Sequence, residues 1–470
     1  MRAWTRSLYW AAFAIVAAGI GGVLWWAHRV SAARAALVSY KSVAIKRGVR
    51  FAFREFLPPE MPPAANYAAL PLFYPGARDR NGAPLSFELP GGTMRTEKAQ
   101  IDEILTSAAD RMTKAGWLPS GSNDPDPAEA VLRGLERFSA DFGELRAARG
   151  REGASFKRDV AAPPHTGFPH LTVCLHLAGL WALRMQAHLD SGKPWEAIED
   201  LSDGLRLYSA LKREPTMLSM LVKVAVVHQL QQAVQSGLVV WPDDLLPLVA
   251  EKLGTIDLAE DMRFSLESER AFIDEASEWT RQQPYTDRVR QTEETDIFEL
   301  EPRGWRLWLR VVNRAEDYSE QLASNLVIDR WLLSAADGLD GIPLDGGASG
   351  SLGEAEPSKL EAIIGKVAER AVLAEAALRA TRIVCALEHF RTRHGSYPAT
   401  LDELTPVFLE TVPRDVADAA EMRYRLKASN EFLLYSIGSN KKDDGGSSAP
   451  LKRGSGPAGP ADWVWGEVWK

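Results

Sequence analysis

The chain has almost no cysteine: two in 470 residues, Cys174 and Cys385. Both sit in apolar, helix-spaced surroundings far apart in sequence, so no disulfide framework and no CxxC metal motif can be read, and both suit the role of small buried hydrophobes. An excess of positive charge is missing too. With 55 Lys and Arg against 63 Asp and Glu, the formal net charge is -8, which removes the general attraction to a phosphate backbone and argues against a nucleic-acid partner. Catalytic signatures are absent: no GxSxG, HExxH, phosphate loop or strand-following GxGxxG occurs. "PPHTGFPHLTVCLH" gathers His165, His170, Cys174 and His176, with His170 and Cys174 spaced i, i+4 as metal ligands can be. No carboxylate or second His pair falls at a ligand spacing, and packing is the simpler reading. The acidic run "TEETDIFELEP", Thr292 to Pro302, reads as a solvated charged stretch. No catalytic residue is assigned.

What the sequence does have is one long apolar run. "SLYWAAFAIVAAGIGGVLWWA" carries no charge between Arg6 and His28, and at 1.5 Å per residue it can cross a hydrocarbon core of about 30 Å. Tyr9 and Trp10 stand at one end and Trp25 and Trp26 at the other, where amphipathic rings prefer the headgroups. The expectation is an uncleaved signal anchor. The competing reading is a cleaved signal peptide with "VSA" before Ala33, although its apolar core would exceed the usual length of about 7 to 15 residues. Arg2 and Arg6 precede the run and Arg29, Arg34, Lys41 and Lys46 follow it, so the positive-inside count alone keeps the bulk of the chain cytoplasmic. No acid occurs before Glu55, and the basic segment after the span reads as a helix lying on anionic headgroups, one extending from the membrane, or a solvated juxtamembrane helix.

The remaining pattern is mainly α and divides by composition. Residues 1–29 form a cytoplasmic tail and transmembrane anchor, and 30–158 a juxtamembrane helix, a Pro-rich connector and further helices. Residues 159–335 form a helical-hairpin bundle or short solenoid, 336–357 a Gly- and Asp-rich linker, and 358–470 a small α+β module. Asp126 as N-cap, Pro127 in the first turn and Glu129 open a helix running towards Arg149. Helical periodicity covers Leu171 to Leu211, interrupted at Asp190 to Pro194, then Thr216 to Ser236, Leu245 to Leu253, Leu258 to Arg281 and Arg306 to Ala335. "AHLDSGKPWEAIEDLSDGLRLYSAL" resembles one tetratricopeptide unit, where an array needs about three.

The C-terminal module opens with a helix from Ser358 to about His394. "HGSYPATLDEL" follows: Gly395 supplies a left-handed stop, Tyr397 and Pro398 turn the chain, and Thr400 with Glu403 makes a capping box. "MRYRL" and "EFLLYSIG", joined by "KASN", read as a β-hairpin, and "DWVWGEVW" as a last strand. The series from "ALEHFRTRHGSYPATLDELTPVFLETVPRD" through "MRYRLKASNEFLLYSIGSNKKDDGG" to "DWVW" resembles the globular part of the major pseudopilin of type II secretion systems, over about the last 100 residues. It is also similar to the tail of uncharacterised single-pass bacterial envelope proteins that carry a helical region before such a module. The pseudopilin leader and the Glu at the fifth mature position have no counterpart here. The resemblance implies a bacterial inner-membrane protein with its bulk in the periplasm, against the charge count. It also implies a non-enzymatic interaction or scaffold role with envelope protein partners, linked to a secretion or pilus-like assembly; the alternative is an envelope enzyme whose site is not readable. It further implies Ca²⁺ bound by Asn440, Asp443, Asp444 and Asp462. A loop whose acids are neutralised by Lys441, Lys442, Lys452 and Arg453, or splay into water, is the other possibility.

Overall fold

A computed structural model describes residues 2–74, 87, 101–119, 126–157, 167–238, 240–282, 303–336, 338–342, 359–447 and 462–465. His165, the run Thr292 to Pro302, Lys452 and Arg453 lie outside these residues. The chain divides into two compact units: the described residues of 1–55 and 267–330 form the first, and those of 56–159, 167–266 and 331–470 the second. Between them they are mainly helical, with one small antiparallel sheet.

In the first unit, α1 runs unbroken over Arg2–Lys46. Its stretch Phe13–Lys46 is long and apolar enough to cross a membrane, and none of its most apolar window is buried within the protein. The last turns change character: Leu37 and Ala44 are buried, and Lys41 reaches Asp274 at 2.5 Å and Glu278 at 2.7 Å. Both carboxylates lie on α9 (Leu258–Gln282), and Arg50 meets Glu267 at 3.1 Å further back along it, so α1 and α9 are antiparallel. The next helix described, α10 (Arg303–Ser334), returns along α9: Arg270 pairs with Asp329 at 2.6 Å, Gln321 donates to Asp274, and the Arg281 guanidinium lies 4.6 Å over the Tyr318 ring. The basic segment after the apolar run is therefore a continuation of the same helix, held by acids from elsewhere in the chain.

The second unit begins with the Pro-rich connector, folded into short 3-10 turns at Tyr67–Ala69 and Pro71–Phe73. Asn66 bonds both backbone groups of Ser155 at 2.9 Å. Then come α2 (Ile101–Lys114), α3 (Pro127–Leu135) and α4 (Ser139–Ala147). Asp126 caps α3 as the sequence predicts, accepting from the Ala128 and Glu129 amides. The single helix expected to reach Arg149 is instead broken by a 3-10 turn at Glu136–Phe138, which turns Phe138 into a ring cluster with Phe87, Trp117 and Phe142. Burying an aromatic ring outweighs the loss of a regular turn. Three long helices form the core: α5 (Pro169–Asp190), α6 (Pro194–Leu211) and α7 (Met217–Ser236), with α5 in contact with both others. After α8 (Leu246–Leu253), α11 (Lys359–His394) packs along α7 and α8. Gln231 and Gln235 both donate to the Thr381 hydroxyl, at 3.1 and 2.8 Å. The C-terminal helix is thus part of the bundle core. The first residues of the expected linker are packed as well, with Leu339 and Ile342 buried and Asp340 paired to Arg379 at 3.1 Å.

The sheet has order β1-β2-β3, all antiparallel: β1 (Arg423–Ala428), β2 (Glu431–Ser436) and β3 (Trp463–Val464). Phe432 to Tyr435 of β2 are all buried, because a central strand covered on both faces needs no polar alternation. Tyr397 packs on Phe432 at 4.8 Å from one side. Gly395 has φ +79 and ends α11 in the left-handed conformation the sequence called for, and the Thr400–Glu403 capping box is formed in both directions.

Candidate functional site

Three clusters of charge lie inside the second unit. The first is the loop after β2 that carries the residues singled out as calcium ligands. Asn440, Asp443, Asp444 and Asp462 do come together. Asn440 donates to Asp444 at 2.8 Å, and Asp462 accepts the Gly446 amide at 2.7 Å and the Asp444 amide at 3.3 Å, one on each carboxylate oxygen. Asp443 accepts from the Tyr435 hydroxyl and the Gly445 amide, each at 2.9 Å. Burial and that bond to Asp443 push the Tyr435 hydroxyl up to about 12. Gly446, at φ +80, presses on Leu433, and a Cβ there would lie 2.6 Å from its side chain. Asp462 therefore acts as a clasp: a buried carboxylate drawing two backbone N–H groups of the "DDGG" turn onto the sheet.

A second cluster centres on Asp200 of α6, which is fully buried. Arg184 forks onto it, its Nε 3.0 Å from each carboxylate oxygen, His188 lies 2.8 Å away and Arg146 3.0 Å. Burial alone would raise this carboxyl, yet hydrogen bonds from His188 and Arg184 outweigh it and hold the group below its usual range. One turn on, Asp203 takes Arg146 and Arg149 at 2.8 and 2.6 Å. Arg206 adds bonds to the carbonyls of Arg149, Arg151 and Gly153 and stacks 4.3 Å over Tyr67, tying the connector to α6.

The third cluster is deeper and less well supplied. Lys223, in the middle of α7, is 0% exposed. Its ammonium lies 3.3 Å from the Ser265 hydroxyl and 3.8 Å from Asp261, beside the Phe264 ring. Tyr208 donates to Asp261 at 2.5 Å and accepts from the Asp257 amide at 3.1 Å. Burial lowers the Lys223 amine and raises the Asp261 carboxyl, each only partly countered by the other. Nearby, His170 Nε2 meets Glu214 at 2.8 Å, its ring stacked on Phe156 at 4.1 Å, and burial raises the Cys174 thiol well above its usual value. His170 and Cys174 share a helix face as the sequence indicated, and each is enclosed by packing. Among the described residues no group of three or more His, Cys, Asp and Glu is arranged to hold a metal.

Sequence reasoning missed Asp200, Asp203, Glu214, Lys223 and Asp261. A signal existed for Lys223, a lone charge in the apolar run "MLVKVAVV", and for Asp200 and Asp203, spaced i, i+3 opposite the i, i+4 pair Arg184 and His188. Chemically, the Asp200 cluster and the Lys223 pair offer structural charge compensation, and the "DDGG" loop brings the acidic oxygens of Asp443 and Asp444 to the surface. Comparison with protein-family models, with curated proteins and with solved structures found no match to this chain.

Proposed function

We propose that this chain is a membrane-anchored, non-enzymatic interaction protein of the bacterial envelope. Its α1 would sit in the inner membrane, and its helical body and C-terminal sheet would be presented to envelope protein partners on the periplasmic side. The observation that carries the reading is the continuity of α1, which passes from a bare apolar stretch into turns locked by Lys41 to Asp274 and Glu278 without a break. The lock lies beyond Ala33 and would outlast cleavage there, so what favours an anchor is that the long apolar stretch runs on into it as one helix. The Asp200 cluster and the Lys223–Asp261 pair support the non-enzymatic part, since their central groups spend their charge on one another. The helical pairs of the bundle, one of them tetratricopeptide-like in sequence, offer the surface for partners, and the pseudopilin-like order of the tail elements suggests a secretion or pilus-like assembly.

A reporter fused after Trp469 tests the side: activity only outside the cytoplasm supports it, and activity only inside reverses it. Resistance of the full chain to alkaline extraction from membranes tests the anchor. Calcium belongs to the same proposal, at Asn440, Asp443, Asp444 and Asp462. Titrating the detergent-solubilised chain to about millimolar Ca²⁺, the range of extracytoplasmic sites, should raise Tm in a way that Asp444→Asn abolishes. A flat Tm removes the ion from the reading.

A further inference from the structure

β1 is an edge strand: β2 pairs with one side of it, and among the described residues no strand pairs with the other. Two bonds on β2 fix which of its main-chain groups face outward. The Leu434 carbonyl accepts from the Trp465 amide, next to β3, at 2.7 Å, and the Ile437 amide donates at 3.1 Å to Asp415, which also holds Arg423 of β1. Successive residues of a strand turn their N–H and C=O groups to opposite sides, so Leu434 faces β3 while Leu433 and Tyr435 face β1. Opposite Leu433 and Tyr435 stand Arg425 and Arg423. The main chain of these arginines is therefore used inside the sheet, and the N–H and C=O groups of Tyr424 and Leu426 point out of it.

This edge is held in place yet open. The Tyr424 hydroxyl donates to the Pro398 carbonyl at 2.7 Å and its ring lies 6.1 Å from that of Phe432, whereas Arg425 and Leu426 are exposed. A register shift after Leu426 ends the regular ladder. The charges along β1 are unequally spent: Arg423 meets Asp415 and Asp418 at 3.3 and 2.5 Å, and Lys427 lies 3.9 Å from Glu431. Arg425 meets no carboxylate among the described residues, and its guanidinium reaches the Gly445 carbonyl at 3.5 Å.

An edge with outward main-chain groups can take a further strand, and the side chains decide which. A second copy of β1 would set arginine against arginine, and like charges opposite one another are unfavourable. A carboxylate suits the place. Because the main chain of Arg425 is turned inward, an added strand meets it at a non-hydrogen-bonded position, where facing side chains come closest. Beside it, the ring of Tyr424 and the aliphatic chain of Leu426 pair best with apolar, β-branched neighbours.

We infer that the outer edge of β1 binds an extended segment of a protein partner that carries an apolar, an acidic and an apolar residue in turn. The segment's main chain pairs with Tyr424 and Leu426, and its carboxylate sits on Arg425. The inference rests on the reading of this chain as an interaction protein, and it names the surface and the chemistry of the partner.

The test titrates the detergent-solubilised full chain into a dye-labelled synthetic peptide, Thr-Val-Glu-Val-Thr, and into its counterpart with Lys in place of Glu, and follows fluorescence anisotropy. The Glu peptide should bind saturably, and the Lys peptide about fivefold more weakly or worse. Arg425→Glu should reverse that preference. Leu426→Pro removes one outward N–H at an edge, where proline is tolerated, and should weaken the Glu peptide about tenfold; if this variant loses its far-ultraviolet helical signal, the reversal by Arg425→Glu decides alone. No saturation up to about 1 mM peptide, equal binding of the two peptides, or a preference that Arg425→Glu leaves unchanged overturns the inference. So does a concentration-dependent dimer of the chain that Arg425→Glu strengthens, since a second copy then occupies the edge. Membrane extraction and the reporter after Trp469 are read separately, so failure here leaves the anchor and its side standing, and their failure leaves this edge standing.

Discussion

Asp200 on α6 and Asp261 on α9 are both buried carboxylates of one helical core, and they are treated in opposite ways. Asp200 is met by an arginine fork, a histidine and a second arginine, and is held below its usual range against the pull of burial. Asp261 has one cation at 3.8 Å and a tyrosine hydroxyl, and burial wins. Two carboxylates buried in one core are thus shifted in opposite directions, Asp261 upward by burial and Asp200 downward because the His188 and Arg184 donors outweigh it; Asp203 is raised by burial although it also takes two guanidinium groups, so donor number alone does not set the sign.

Removing the over-supplied acid should have the largest effect. Asp200→Asn strands two guanidinium groups and a histidine around a neutral amide, and should cost about 3–5 kcal/mol in urea unfolding. The Asp200 carboxyl is lower in the folded state, so its stabilisation is present above the unfolded carboxyl range and is lost as pH falls through the folded value. The gap between wild type and Asp200→Asn should therefore narrow in acid, and a constant gap would show the effect to be steric.

Lys223→Met should cost less, about 2 kcal/mol at pH 8, because Asp261 can take up a proton once its cation is gone. Its carboxyl is already raised, and losing the opposing cation raises it further. Stability linked to a raised carboxyl is present below the unfolded value and lost as pH rises, so the Tm deficit of Lys223→Met should be smaller at pH 5 than at pH 8. The double variant Lys223→Met, Asp261→Asn should recover to within about 1 kcal/mol of wild type, since both charges leave together and the Tyr208 hydroxyl keeps an acceptor. A double variant worse than either single would mean that the pair is net stabilising.

Asp462 offers a third kind of buried carboxylate, satisfied by backbone amides rather than by cations. Asp462→Asn replaces one acceptor with a donor facing the Gly446 or Asp444 N–H, and should cost about 1–2 kcal/mol. The smallest effect should come from the exposed pair Lys193–Glu129, 2.8 Å apart with both side chains over 40% exposed; Lys193→Ala should change stability by less than about 1 kcal/mol.

The helices were legible wherever periodicity ran long: α5 to α10 lie within a few residues of their expected bounds, because a continuous apolar stripe at period 3.6 has one way to be buried. Gly395 and the Thr400–Glu403 box were legible because each acts on neighbours in sequence. The break at Glu136–Phe138 was not, since it depends on aromatic partners at Phe87 and Trp117. That Asp443, Asp444 and Asp462 lie close together was implied by the resemblance, whereas the clasp made by Asp462 on two amides was not.

By itself the sequence determined a long apolar first helix, a mainly helical body, a tail of helix and small sheet, and the local caps and turns. All of these follow from residues within a few positions of one another. The tertiary structure decided that α1 continues past its apolar run into a lock with α9, that α11 packs into the bundle core, and which buried acid is held below the usual carboxyl range. Those outcomes depend on partners tens to hundreds of residues apart, such as Lys41 with Asp274 or Gln231 with Thr381, and pairing at that range leaves no periodic trace in the chain.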